Sequence, residues 1–282
     1  MKNPFLCRDL RMPYAMPKMY NVSCLAEQAK ILREEAEENK FDVDVRNERW
    51  ARWHTCGLCE QLHHGVAYCA LGWACWKTYV GRLETDQVRQ LAMKKLGNDL
   101  SAADHDEDAL SVQEAEFAMM RRLGASELDL LSVQGNLACT YEALGRIEPA
   151  LCLRRDVYFG SLKVCGEENM TTVISASNYA NCLLSLQHFE DTKSLLLKVL
   201  PVARRVIGER NDLTLKLRWA YAEALYKDAG ATLGDVREAV ANLEETERIA
   251  RRVLGNSHPI TEGIGSELLK ARSALRARET RT

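Results

Sequence analysis

The sequence predicts an all-α protein: a right-handed α-solenoid of antiparallel helix pairs preceded by a small Cys/Trp-rich helical head. Three observations carry this expectation. First, a glycine returns at a fixed interval: Gly124, Gly166, Gly208 and Gly255 are 42, 42 and 47 residues apart. Each closes a similar phrase, as in Leu-Lys-Val-Cys-Gly at 162–166, Arg-Arg-Val-Ile-Gly at 204–208 and Arg-Arg-Val-Leu-Gly at 251–255. A repeat of this length marks a solenoid, in which each unit buries its apolar face only against its neighbours. Second, apolar residues between the glycines recur at three and four, the spacing of one helix face. Third, composition changes near residue 85: four of the five tryptophans and three of the six prolines precede it, and a Leu/Ala/Glu/Arg-rich chain follows. The expected organisation is a Cys-rich head at 1–65, a connecting helix at 66–85 and the repeats at 86–282.

In the head, Leu25–Asn39 reads as a helix, and so does Val66–Val80. The second places Cys69, Gly72, Trp73 and Trp76 on one face and Cys75 on the other side, so Cys69 and Cys75 are read as core residues. The acidic run Asp104–Asp108 lacks calcium-loop spacing. It reads as a helix start, where carboxylates favour the macrodipole. His105 and His188 fall at turns between paired helices, where exposure is expected. Leu130, Val133, Leu137, Tyr141 and Leu144 stripe a helix over Leu128–Leu144. Gly145-Arg146 breaks it, and Pro149 sits in the first turn of the next helix, where a missing N–H costs little. That helix runs to about Val164 and ends at Gly166 as a left-handed cap. Asn136-Leu137-Ala138 returns as Asn178-Tyr179-Ala180 and then Ala220-Tyr221-Ala222, each 42 residues on. Gly97, Ala138, Ala180 and Ala222 let helices approach closely, and Leu100, Tyr141, Leu183 and Leu225 fill the space between them. Pro201 should kink its helix or start a new segment. Lys227–Gly234 is an inserted loop that explains the longer interval. A lone helix over Pro259–Arg278 caps the stack. The Arg-Arg pairs at 121–122, 204–205 and 251–252 end second helices, where cations complement the dipole. Cys139, Cys152, Cys165 and Cys182 are read as small buried apolar residues.

This pattern of a small residue, a filler three residues on and Ala-Leu opening the partner helix resembles the tetratricopeptide repeat. The 42-residue period and the phrase Val253-Leu254-Gly255-Asn256-Ser257-His258-Pro259-Ile260-Thr261 resemble the longer repeats of kinesin light chains. The resemblance covers about 86–278. It implies a scaffold whose first helices line a concave face that binds a protein or peptide partner. The inward polar positions would be Lys94, Lys95, Asn98, Asn136, Asn178, Asn181, Lys216, Trp219 and Glu223. Asparagines can pair with a peptide backbone through donor and acceptor. Lysines would favour an acidic partner or a C-terminal carboxylate, or else form a solvated face. Trp219 offers a flat apolar anchor. Asn136 and Asn178 could instead bond neighbouring repeats. A motor-adaptor role would need a heptad segment, and none is visible.

The head carries Cys56-Gly57-Leu58-Cys59, a Cys-x-x-Cys pair of the kind that presents two thiolates to one metal ion. Residues 5–62 resemble part of a RING-variant (RING-CH) zinc finger, with Cys24 where the His-x-x-Cys pair ends and Trp53 ahead of the final cysteine pair. That resemblance implies one surviving zinc site at Cys7, Cys56 and Cys59, with Asp9 a further ligand. It also implies an alternative function, a ubiquitin ligase or a remnant of one, with the repeats as substrate-binding module. Otherwise no cofactor is expected. There is no Walker-type phosphate loop, dinucleotide Gly-x-Gly-x-x-Gly or Gly-x-Ser-x-Gly elbow, so no small-molecule substrate and no catalytic residue is expected. A net charge of −2 gives no pull toward nucleic acid or anionic membrane. No apolar run or signal-peptide core is present, so a cytoplasmic setting is expected.

Overall fold

The computed structural model describes residues 22–57 and 60–280. Among them every regular element is helical, beside one isolated antiparallel bridge between Thr55 and Leu62. In chain order the helices are α1 (Val22–Glu38), α2 (Val43–Trp50), α3 (Gly65–Tyr79), α4 (Gln87–Ser101), α5 (Asp106–Arg122) and α6 (Glu127–Ala143). They continue with α7 (Ile147–Cys165), α8 (Met170–Ser185), α9 (Phe189–Val206), α10 (Asp212–Lys227), α11 (Leu233–Leu254) and α12 (Pro259–Glu279). The chain divides into two compact units, Met1–Ala125 and Ser126–Thr282. The compositional change near residue 85 falls inside the first of them.

In the first unit α3 packs on α1 and α4, and α4 packs on α5. α3 carries a single charged residue, Lys77, so it can be covered on more than one side. Trp53, Leu71, Cys75, Tyr79, Val88 and Ala92 form its core. Cys75 is buried as expected, Cys69 is half-buried, and Trp73 is turned to solvent. A second cluster of Leu96, Leu100 and Ala109 lies between α4 and α5, with Cys69 and Trp76 against it. Gly97 lets α5 come close: a Cβ there would stand 3.0 Å from Gln113 Cγ.

In the second unit each helix packs on the next, as the repeat requires, and α10 also touches α8 and α12. Ala138, Ala180 and Ala222 have no exposed surface, as close approach demands. The turns inside successive pairs share one geometry. Asp104, Gly145 and Gln187 take φ of +59°, +70° and +60°. Behind them the N–H groups of His105, Arg146 and His188 donate to the carbonyls of Leu100, Tyr141 and Leu183 at 2.8–2.9 Å. This bond, closing five residues back, satisfies a helix-end carbonyl. Two of the glycines that end second helices take a different backbone, whereas Gly124 (φ +67°) keeps the first geometry, with Ala125 N–H donating to the Met120 carbonyl at 3.0 Å. Gly166 and Gly255 have φ +83° and +89° with ψ 172° and 168°, an extended mirror region open essentially to glycine alone. The expected left-handed cap is corrected on that point, although the φ is positive as predicted.

Four other expectations meet the structure. The inserted loop is observed between α10 and α11, and α12 starts where predicted, with Pro259 in its first turn behind the His258 cap. Pro201 starts no new segment, because α9 runs unbroken through it. Pro201 and Leu197 are both exposed, so water can serve the carbonyl that the missing N–H leaves free. Cys182 is buried and Cys165 half-buried, but Cys139 and Cys152 are exposed. Cys139 follows buried Leu137 and Ala138 and precedes buried Thr140, so it occupies the outward part of the helix turn.

Trp219 on α10 lies against Gly263 on α12. A Cβ at Gly263 would stand 2.8 Å from Trp219 Cζ3 and closer still to the ring edge. At Gly265 it would meet only the end of the Glu247 side chain, at 2.9 Å. Gly263→Ala is therefore expected to destabilise by about 1–3 kcal/mol through overpacking, outweighing its helix-propensity gain of about 1 kcal/mol. Gly265→Ala should be neutral or stabilising. Thermal melts of both variants check this; equal melting temperatures would remove the contact from the account.

Glu116 on α5 is 2% exposed, and its Oε2 has no hydrogen-bond partner among the described residues. Burial pushes its pKa up to about 7, against the opposing pull of Lys94. An acid raised on folding stabilises fully below its unfolded pKa and loses that contribution as pH rises through the folded value. Glu116→Gln should thus stabilise the fold at pH 8 by up to a few kcal/mol, at roughly 1.4 kcal/mol per pH unit, raising the melting temperature there and changing it little at pH 4. Melts across that range decide it.

Candidate partner-binding site

Of the nine positions proposed to face a partner, two meet at a cavity. α6, α7 and α8 enclose a space of about 290 Å³ lined by Glu142, Ile147, Arg154, Asn178, Asn181, Cys182 and Ser185. Asn178 and Asn181 lie three residues apart on α8, hence on one face. Neither side-chain amide makes a hydrogen bond among the described residues; only the Asn181 carbonyl is used, accepting from Ser185 Oγ at 3.1 Å. The cavity therefore carries open donors and acceptors.

Its floor is an ion pair that sequence reasoning missed. Arg154 is 5% exposed. Its Nε donates to Glu142 Oε1 at 2.9 Å and its Nη2 to Glu142 Oε2 at 2.7 Å. Nη2 also reaches Cys139 Sγ at 3.1 Å, and Nη1 donates to the Gly135 carbonyl at 3.4 Å. Burial alone would weaken the guanidinium's hold on its proton; the Glu142 bond outweighs this and keeps the pKa above its ordinary value. Burial, with the Glu142 charge adding to it, pushes Cys182 up to about 11, so it lines the cavity as a neutral thiol. The only sequence signal for this floor is a comparison between repeats. One period after Glu142 and Arg154 stand Leu184 and Leu196.

The other seven positions behave differently. Asn136 on α6 is half-buried and not without partners. On α10, Lys216 is exposed with no ion-pair partner among the described residues, and half-buried Glu223 accepts from Lys227. Trp219 is half-buried by Gly263, and its Nε1 has no partner among the described residues. It serves the α10–α12 contact. Lys94, Lys95 and Asn98 lie on α4, in the first unit. Lys95 is corrected: it is 2% exposed, and its Nζ lies 2.6 Å from Asp99 Oδ2 and 4.6 Å from the Tyr68 ring centre. A lysine held this way is a core residue rather than a surface contact. It also sits 3.4 Å from His54 Nδ1. Burial first, then the Lys95 charge, lowers the His54 pKa to about 4, so that imidazole is neutral.

For the expected zinc site, Cys7 and Cys59 lie outside the described residues. Cys56 is half-buried beside the Thr55–Leu62 bridge, and Cys24 is exposed on α1. Among the described residues no group of three or more His, Cys, Asp or Glu side chains converges as a metal site. No helix among them is long and apolar enough to cross a membrane.

Exposure predicts thiol reactivity. In the native protein Cys24, Cys139 and Cys152 should alkylate with iodoacetamide, while Cys75 and Cys182 should label only after unfolding. Peptide mass spectrometry of the labelled chain checks this; early labelling of Cys182 would place it outside the floor.

With this geometry in hand, comparison with known proteins is informative about fold. A tetratricopeptide repeat model matches residues 231–260, from the inserted loop through α11 to the start of α12. No curated protein matches the sequence. Among solved structures, the nearly identical TPR-like repeats of a Podosopora anserina protein assigned as a kinesin light chain superpose with a TM-score of 0.55 at 18% identity, covering 83% of this chain and 98% of that one. A second structure of those repeats gives the same values. BtubC (BKLC) from P. vanneervenii aligns over 91% of this chain and 92% of its own, at 13% identity and a TM-score of 0.47. The comparisons give no support to a RING-variant head. They bear out the repeat, and this chain has the all-α fold of tetratricopeptide-like helical repeats.

Proposed function

We propose that the protein is a non-catalytic interaction scaffold that binds a segment of a protein partner at the α6–α8 cavity. The observation that carries this reading is the pair of unengaged carboxamides, Asn178 and Asn181, on that cavity. Each amide offers both donor and acceptor. In an extended chain the N–H and C=O of one residue point to the same edge, within the span of two side chains one helical turn apart. The repeat fold adds to the reading, since tetratricopeptide repeats generally mediate protein–protein interactions. The sequence-derived partner face is thereby narrowed from nine positions to a site centred on α8.

The test uses a phage-displayed library of random dodecamer peptides selected on the purified full chain. Peptides enriched on the wild type should bind Asn178→Ala/Asn181→Ala at least tenfold more weakly. The melting temperature should stay unchanged, because neither amide supports the fold. Equal affinity of the enriched peptides for both proteins would remove the cavity as the site.

A further inference from the structure

We infer that the segment recognised at this cavity is uncharged and carries an apolar side chain two to four residues from the residue it anchors. This rests on the peptide reading above and adds the chemistry of the partner.

The two charges in the cavity wall, Arg154 and Glu142, are bonded to each other through two hydrogen bonds of 2.7 and 2.9 Å. An incoming carboxylate or ammonium would find no uncompensated counter-charge and would still lose its hydration, which is costly. Neutral amides lose less and gain Asn178 and Asn181. The next repeat stacks with Leu184 and Leu196 where this one has Glu142 and Arg154, and Leu196 is fully buried. Apolar residues therefore suffice for stacking at these positions, and an ion pair between buried Arg154 and half-buried Glu142 is not needed for stability. What the pair adds is a polar floor without net charge. Ile174 is 40% and Met170 52% exposed, one and two turns from Asn178 on the same side. Those steps are about 6 and 12 Å along the helix. An extended chain advances about 3.3 Å per residue, so they correspond to two and four residues, and side chains at that spacing share one face of a strand. The expectation of an acidic partner drawn from the lysines does not hold at this site, because no lysine lines it.

The same library selection reads this out through composition and through three further variants. Wild-type sequences should be depleted of Asp, Glu, Lys and Arg and should lose at least tenfold in affinity on Ile174→Asp. Glu142→Gln keeps hydrogen-bonding capacity but leaves Arg154 uncompensated, and should shift selection toward acidic peptides. Glu142→Leu/Arg154→Leu copies the next repeat and guards against a folding artefact: it should stay folded and select no charged peptides. Asn178/Asn181-dependent peptides that are acidic or basic on the wild type would overturn the neutral-partner inference and leave the scaffold reading standing. So would indifference to Ile174→Asp. No enrichment that depends on the two asparagines would overturn both.

Discussion

The packing of α10 holds the second unit together. Ten of its sixteen residues are buried, and it contacts α8, α9, α11 and α12. A helix enclosed in this way cannot rely on one apolar stripe. It needs small residues where neighbours approach and partners for the charged groups it hides. Ala220, Ala222 and Ala224 meet the first need. Arg218 shows the second. It is 1% exposed, yet its Nη2 donates to Glu245 at 2.8 Å, its Nη1 to Glu209 and its Nε to Asn242 at 3.4 Å. One side chain thus ties α10 to α11 and to the turn before α10. Removing it would leave a cluster of carboxylates around a cavity, which is why this charge belongs to the core.

The same demand recurs at the α10–α12 contact. Glu267 is 3% exposed and is bonded by Tyr226 and by Lys270 at 2.9 Å, with Lys227 at 3.2 Å. Burial alone would raise its pKa; these bonds outweigh it and hold the carboxylate below its ordinary value. Its contribution is present above the unfolded carboxylate pKa and fades as pH falls through the lower folded one. The terminal helix is therefore held by a charged cluster as well as by the Trp219–Gly263 contact. The exposed pairs, such as Lys163–Glu127 and Arg205–Glu168, add little, because water screens them.

Much of this was legible in the sequence because repetition exposes it. The interval between closing glycines located four helix ends, and the small residues of each first helix located the close contacts. The inserted loop was readable from a single change of interval. What was not legible has physical reasons. The turn at Gln187 takes the backbone of Gly145 without a glycine, so no residue type announces it. Lys95 reads as a surface cation on a helical wheel, and only its pairing with Asp99 and the Tyr68 ring makes burial tolerable. Trp219 reads as an anchor for a partner; its true neighbour is a glycine on a helix that lies about forty residues on.

Departure from the repeat is what makes one place distinct. Where α8 has Asn181, α10 has Glu223, already bonded to Lys227. Where α8 has Ser177, α10 has Trp219, already covered by Gly263. The α10 positions are consumed by the contact with α12. On α8 Ser177 is itself buried, but Asn181 is exposed with its side-chain amide unengaged, and behind it the leucines of the next repeat are replaced by an ion pair. A solenoid can accept such a substitution because stability is shared among neighbouring interfaces. The strongly apolar α9–α10–α11 stack lies next in the chain, so one repeat can carry a polar cavity without the unit losing its core. Recognition is in this sense permitted by redundancy: the residues free to meet a partner are those that the repeat did not need for stacking.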